Sequence, residues 1–134
     1  MLEIGTIGQV SLLLRDRDMA SELGISDDQF PEVFATSRMI ALMEVAAARA
    51  MKPLLQPGQL SVGVVVNIKH TAATPNGLEV SAVATFLGME GKLYKFQVEA
   101  FDPAGKIGEG EHLRAIISTE RLLQGAQSRM AAKP

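Results

Sequence analysis

The sequence predicts an α+β domain in which a curled antiparallel sheet of five strands wraps around one central helix. Three observations carry that expectation. The stretch "FPEVFATSRMIALMEVAAARAM", residues 30–51, is a helical run that is apolar on most faces, and a helix of that kind is buried on most faces. Every periodic segment after it alternates with a period of two, as strands do. Those later segments are joined by tight turns, so they form a meander, and a meander can cover one apolar helix only by curling around it. With 134 residues in all, the chain has the size of one domain.

Residues 3–14 alternate loosely and are rich in Leu, Ile and Val, which suits a first strand. "RDRDMASELGISDDQ" follows, charged and without a steady period. A connection of that length reads as a lid or binding segment over 15–30 rather than a plain link. Pro31 suits the first turn of the helix or the residue ahead of it, and either Thr36 or Ser37 suits the N-cap. From Met39 to Met51 only Glu44 and Arg49 are charged, while Ala46, Ala47, Ala48 and Ala50 favour helix. Small residues such as Ala46, Ala47 and Ala50 leave room beside a site if they face one. "KPLLQPGQ" ends the helix, because its prolines break the pattern and Gly58 permits a turn.

In "SVGVVVNIKHTAAT" the period of two sets Val62, Val64, Val66, Ile68 and His70 on one face. "PNG" turns the chain into "LEVSAVATFLG", with Leu78, Val80, Ala82, Ala84 and Phe86 in phase. "MEGK" turns into "LYKFQVEAF", and "DPAGK" into "IGEGEHLRAIIS". The tail from Arg121 to the end is polar and small, and is expected to fray. This order, a strand, a long loop, a buried helix and four strands in a meander, is that of the hotdog fold. Such a sheet leaves strand edges that invite pairing, so a homodimer with a continuous sheet is expected.

Composition narrows the function. Charges of both signs are mixed and sum to -2, which gives no footprint for nucleic acid. The chain has no cysteine, which removes disulfides, thiolate metal sites and cysteine nucleophiles together. The N-terminus carries Glu3 before its apolar residues and lacks a basic region, so it is a poor signal peptide. No apolar run reaches the length of about 18 residues that suggests a membrane span. A soluble, cytoplasmic protein without a membrane partner is expected.

Few residues are left to carry chemistry. Glu44 stands between Met43 and Val45 in the apolar helix, and a carboxylate there must be paired, hydrogen-bonded, protonated or open to a cleft. It is either a functional group, a cap on a dimer contact, or a charge on the helix's one wet stripe with Arg49. His70 continues an apolar strand row, where a satisfied core histidine is the competing reading. Thr36 is either an N-cap or a hydroxyl that works with a nearby base. His112 and Arg114 share a face of the last strand, and an arginine fork suits a phosphate or carboxylate when it is not simply a surface charge. Gly108 and Gly110 lack phosphate-loop spacing and read as strand twist or close packing. Asp102 is explained by its turn.

At these residues the chain resembles a known family. "FPEVFATSRMIALMEVAAARAM", "SVGVVVNIKHTAATPNGLEV" and "IGEGEHLRAII" are similar to the fluoroacetyl-CoA thioesterase family of hotdog-fold enzymes, in register from about Phe30 to Ile117. The resemblance implies a catalytic set of Thr36, Glu44 and His70, in which His70 moves protons and Thr36 orients or hydrogen-bonds the Glu44 carboxylate. It also implies substrate-binding roles for Gly63, for Phe30 as a lid residue, and for Arg114 on the CoA side as a holder of a CoA phosphate. The implied activity is hydrolysis of a CoA thioester with a short or small acyl group, Glu44 either attacking the carbonyl or activating water. No metal and no cofactor are implied, because CoA is part of the substrate. The chain departs from the family upstream, where "RDRDMASELGISDDQ" does not follow the aromatic-rich lid. The competing reading is a non-hydrolytic acyl-CoA binding module on the same fold; an enoyl-thioester hydratase and a purely structural oligomerisation domain account for fewer of these residues.

Overall fold

In the computed structural model, which describes residues 1–132, the elements follow the expected order. They are β1 (Ile7–Leu13), α1 (Thr36–Met51), β2 (Gln59–His70), β3 (Glu79–Glu90), β4 (Leu93–Asp102), β5 (Gly105–Ser118) and α2 (Thr119–Ala131). The strands form one antiparallel sheet in the order β1-β3-β4-β5-β2, so β1 and β2 are its edges. The expected meander of four strands is corrected: only β3, β4 and β5 follow one another through hairpin turns, as at Gly91 (φ 62°), while β2 pairs with β5 at the far edge and reaches β3 by a crossover whose turn holds Gly77 (φ 86°).

The core lies between α1 and the concave face of the sheet. Met39, Leu42, Met43, Ala46, Ala47, Ala50 and Met51 are buried, and their alternating steps of three and four make one continuous stripe. Val80, Ala82, Ala84 and Phe86 of β3 meet it, with Phe96, Val98 and Ala100 of β4. The helix approaches β1 so closely that a Cβ on Gly8 would meet the backbone of Ala46 and Ala50.

Several expectations are corrected. The helix is not buried on most faces: one sheet covers one side of it, and Val45, opposite the stripe, stays 41% exposed. Ala46, Ala47 and Ala50 belong to that stripe, so they make room for β1 and not for a ligand. Neither Thr36 nor Ser37 caps α1; Ala35 is the N-cap, without a side-chain hydrogen bond. The alternation in β2 is interrupted by a bulge between Gly63 and Val65. An extra residue there shifts the faces, and Val64 and Val66 are exposed while Ile68 and His70 are half-buried.

The segment over 15–30 divides in two. Its first half is packed into the fold through two 3-10 turns, Asp16–Asp18 and Ala20–Glu22. The buried Asp18 carboxylate accepts from the Arg15 amide at 2.9 Å and pairs with Arg38 at 3.3 Å. The Asp18 carbonyl accepts from Ala35 at the head of α1. Residues 23–30 are exposed. The tail, expected to fray, is helical as far as Ala131: Ser118 Oγ accepts from the Arg121 amide at 3.3 Å as an N-cap, and no residue of α2 is buried; residues 133–134 lie outside the described residues. Glu120, Leu122, Leu123, Gln124 and Arg129 are good helix formers, which polarity alone does not reveal. Among the described residues no helix is long and apolar enough to cross a membrane.

Candidate active site

Two clusters of polar side chains stand on the face of β2 that meets α1. The first forms where the C-terminal end of β2 passes the head of α1. Thr36 is the first residue of the helix, and its hydroxyl shares a 2.7 Å hydrogen bond with His70 Nδ1. Because Ala35 is the N-cap, this hydroxyl is free of capping duty. The His70 ring packs edge-on against Phe34, with centroids 6.4 Å apart at 81°. Its Nε2 is buried with no hydrogen-bond partner among the described residues. Burial pushes the His70 pKa below its ordinary 6.5, with the Ala72 backbone opposing in part, so the neutral ring is favoured. His70 and Thr36 line a mainly apolar cleft of about 390 Å³ with Phe30, Pro31 and Phe34. Phe30 is half exposed at its rim, which is a place from which a side chain can cover a ligand.

The second cluster is built around Glu44. Its Oε2 accepts from Arg114 NH1 at 3.0 Å. Among the described residues its other oxygen takes no hydrogen bond, and the side chain is 40% exposed. Glu44 is therefore a carboxylate with one oxygen held and one free. Gly63 makes that position possible, since a Cβ there would lie 2.6 Å from Glu44 Oε2. Arg114, directly across from Gly63 on β5, is buried at 5% exposure. Its Nε donates to Ser61 Oγ at 3.1 Å, NH2 to the Ser61 carbonyl at 2.9 Å, and NH1 to His112 Nε2 at 3.0 Å as well as to Glu44.

Arg114, expected to hold a CoA phosphate, is turned here toward groups of the protein itself. Four of its five N–H donors are committed within the protein, and the guanidinium is closed off from solvent. In this structure it holds Glu44. Thr36 meets His70 rather than the Glu44 carboxylate it was expected to orient, Glu44 meets Gly63 and Arg114, and the two groups do not join within one chain. Eight residues of helix separate Thr36 from Glu44, which is about 12 Å along the axis. Ser61 escaped the sequence reading, because a serine at a strand start carries no signal. His112 stood out only as a neighbour of Arg114. Gly108 and Gly110 prove to be close-packing residues, against Met39 and the Asn67 backbone. Asp102 serves its turn, accepting from the Ala104 and Gly105 amides, and also fixes the buried Thr74 hydroxyl at 2.7 Å. No group of three or more His, Asp or Glu side chains among the described residues is arranged to hold a metal ion.

The fluoroacetyl-CoA-specific thioesterase (FlK) family matches residues 15–120. The chain belongs to that family. The fluoroacetyl-CoA thioesterase of Streptantibioticus cattleyicolor is 47% identical over 93 residues, which are 69% of this chain and 67% of that protein. A solved structure of the fluoroacetyl-CoA thioesterase FlK superposes with a TM-score of 0.87 at 36% identity, over 100% of this chain and 99% of that one. An FlK mutant in complex with fluoroacetate and CoA gives 0.84 at 37% identity, over 90% and 98%. A thioesterase superfamily member from Thermus thermophilus gives 0.86 at 26% identity, over 99% and 98%. The curled five-stranded sheet around α1 is the hotdog fold of these thioesterases, and the enzyme is a thioester hydrolase.

Proposed function

We propose that this member of the family is a cytoplasmic acyl-CoA thioesterase that hydrolyses a CoA ester with a small acyl group, and that two copies share each active site. The observation that carries the chemistry is the Glu44 carboxylate, fixed through one oxygen by Arg114 and free at the other. Hydrolysis forms a C–O bond at the acyl carbon and breaks the C–S bond, with charge gathering on the carbonyl oxygen between the two events. The free oxygen of Glu44 either attacks the carbon, giving an anhydride that water then opens, or takes a proton from the attacking water. Arg114 presents the carboxylate without being able to take its proton. The strand backbone at Gly63, bare of side chain, offers close approach to the carbonyl and amides for the oxyanion. His70, kept neutral by burial, is suited to accept or return a proton near neutral pH, and Thr36 orients its ring through Nδ1.

The sharing of the site rests on the split between the clusters. β2 is an edge strand whose Leu60, Val64, Val65 and Val66 are 53%, 53%, 40% and 46% exposed, an apolar edge of the kind that pairs. Two copies joined antiparallel along β2, with a two-fold axis near Val66 and Asn67, set His70 of one opposite Gly63 of the other. Thr36 and His70 of one copy then face Glu44 of its mate.

Free-thiol release from acetyl-, fluoroacetyl-, propionyl- and phenylacetyl-CoA tests the reading, with Glu44→Gln and His70→Ala beside the wild type. Hydrolysis by the wild type, lost by about a hundredfold or more in both variants, supports it. Saturable binding of the esters without thiol release would replace it with the acyl-CoA binding module.

A further inference from the structure

We infer that His112 is a positioning residue for Glu44, acting through Arg114. The inference rests on the reading of Glu44 as the catalytic carboxylate. His112 is buried at 1% exposure on β5, two residues before Arg114. Its Nδ1 lies 2.8 Å from the Val65 carbonyl. A carbonyl only accepts, so Nδ1 carries the proton and donates it. Its Nε2 lies 3.0 Å from Arg114 NH1. A guanidinium only donates, so Nε2 is bare and accepts. The two bonds together fix one tautomer of a neutral imidazole.

The consequence lies at Arg114 NH1. That nitrogen has two hydrogens: one goes to His112 Nε2 and the other to Glu44 Oε2 at 3.0 Å. Ser61 grips Nε and NH2 from the β2 side, and His112 grips the NH1 end from β5. The plane of the guanidinium is thus set from both sides, and the second hydrogen of NH1 has one direction left, toward Glu44. A Cβ on Gly63 would come within 3.0 Å of His112 Cε1 as well as 2.6 Å of Glu44 Oε2, so the histidine also forms one wall of the slot in which the carboxylate sits.

Protonation of His112 would break the chain, since Nε2–H and the Arg114 N–H would then oppose each other as two donors. The charged groups that face the ring are Arg114 on its own strand and Glu44 on α1. β2 contributes the Val65 carbonyl, and β4 contributes the uncharged Phe96 directly across, with Tyr94 across from Arg114. Burial and Arg114 disfavour the imidazolium while the Val65 carbonyl and Glu44 favour it; burial is the largest of these effects and the pKa is lowered.

Two substitutions separate positioning from packing. In His112→Gln an amide oxygen can reach the place of Nε2 and accept from Arg114, while the donor to Val65 is lost. In His112→Asn an amide nitrogen takes the place of Nδ1 and donates to Val65, while the acceptor for Arg114 is lost. Each removes one bond, so both lower the melting temperature by similar amounts. Positioning predicts unequal rates: kcat of His112→Asn about tenfold below that of His112→Gln, a difference of one hydrogen bond, with KM little changed in either. Equal kcat in the two variants would overturn the inference. A second readout does not pass through catalysis. Nitrogen-15 NMR of Arg114 is expected to show its terminal nitrogens distinct in the wild type and in His112→Gln, because rotation about Nε–Cζ is blocked, and averaged in His112→Asn. The same pattern in all three proteins would also overturn it. Full activity in Glu44→Gln would remove the catalytic reading of Glu44, and the NMR comparison would still decide whether His112 orients Arg114.

Discussion

A methyl group at Gly63 would stand 2.6 Å from Glu44 Oε2 and 3.0 Å from His112 Cε1. The nearer obstacle is the end of a flexible side chain, so it yields, and yielding takes the carboxylate off Arg114. Gly63→Ala is therefore expected to cost little stability, about 1 kcal/mol or roughly 4 °C in melting temperature, yet to lower kcat by about tenfold or more. Thermal melts beside thiol-release kinetics check the pair; an active protein with a large thermal loss would mean that the glycine serves packing alone. The histidines give a second test. Both pKa values lie below the ordinary 6.5, mainly through burial. The unfolded chain then takes up these protons near 6.5 while the folded chain waits for a lower pH, so their share of stability is whole above 6.5 and declines as the pH falls toward the folded values. The urea midpoint is expected to drop between pH 7.5 and 5.5, and to drop less steeply in His112→Gln, which has one such group fewer. Glu44 was legible in the sequence because a lone charge in an apolar helix needs a reason. Its partner was not, since Arg114 lies 70 positions away and meets it only through the register of β2 against β5.

At the scale of elements, the contact of α1 with β1 decides where the helix lies, and so how far Thr36 and Glu44 stand from β2. Gly8 is the closest point of that contact: a Cβ there would run into the Ala46 carbonyl oxygen and lie 2.7 Å from the Ala50 nitrogen. These are backbone atoms of a regular helix and cannot rotate aside, so Gly8→Ala must push α1 off the sheet. The expected loss is about 3 kcal/mol, seen as a fall of about 10 °C in melting temperature, and activity falls with it because the Thr36–His70 hydrogen bond spans the same gap. A melt within about 2 °C of the wild type would show that the helix can shift freely. The strands were legible, since period-two runs between turn residues have few other solutions, and the buried row Val80, Ala82, Ala84 and Phe86 lies on the face that the alternation gives. The bulge after Gly63 was not legible, because four consecutive β-branched or small residues alternate equally well in either phase. The side from which α1 is buried was equally hidden: its alanines and Val45 are apolar whether or not a sheet covers them.

The whole molecule poses the question of why an enzyme should place Thr36 and His70 at one end of an edge strand and Glu44 near the other. The proposed pairing of two copies along β2 would answer it, and the proposal has a numerical consequence. If each site takes His70 from one copy and Glu44 from its mate, Glu44→Gln and His70→Ala damage opposite halves of the site. A mixed dimer of the two then holds one site with both defects and one with neither. Random exchange makes half of the dimers mixed, so a mixture of the two inactive proteins should recover about a quarter of the wild-type activity. A site contained in a single chain recovers none, whatever the oligomeric state, because every copy lacks one member of the set. Replacing the exposed Val64 and Val66 together by lysine should abolish the recovery, as like charges now meet along the edge. Sedimentation should then show a monomer that keeps the Thr36–His70 pair and the Glu44–Arg114 pair but hydrolyses no thioester. An active monomer would confine the site to one chain and require Glu44 to act without His70.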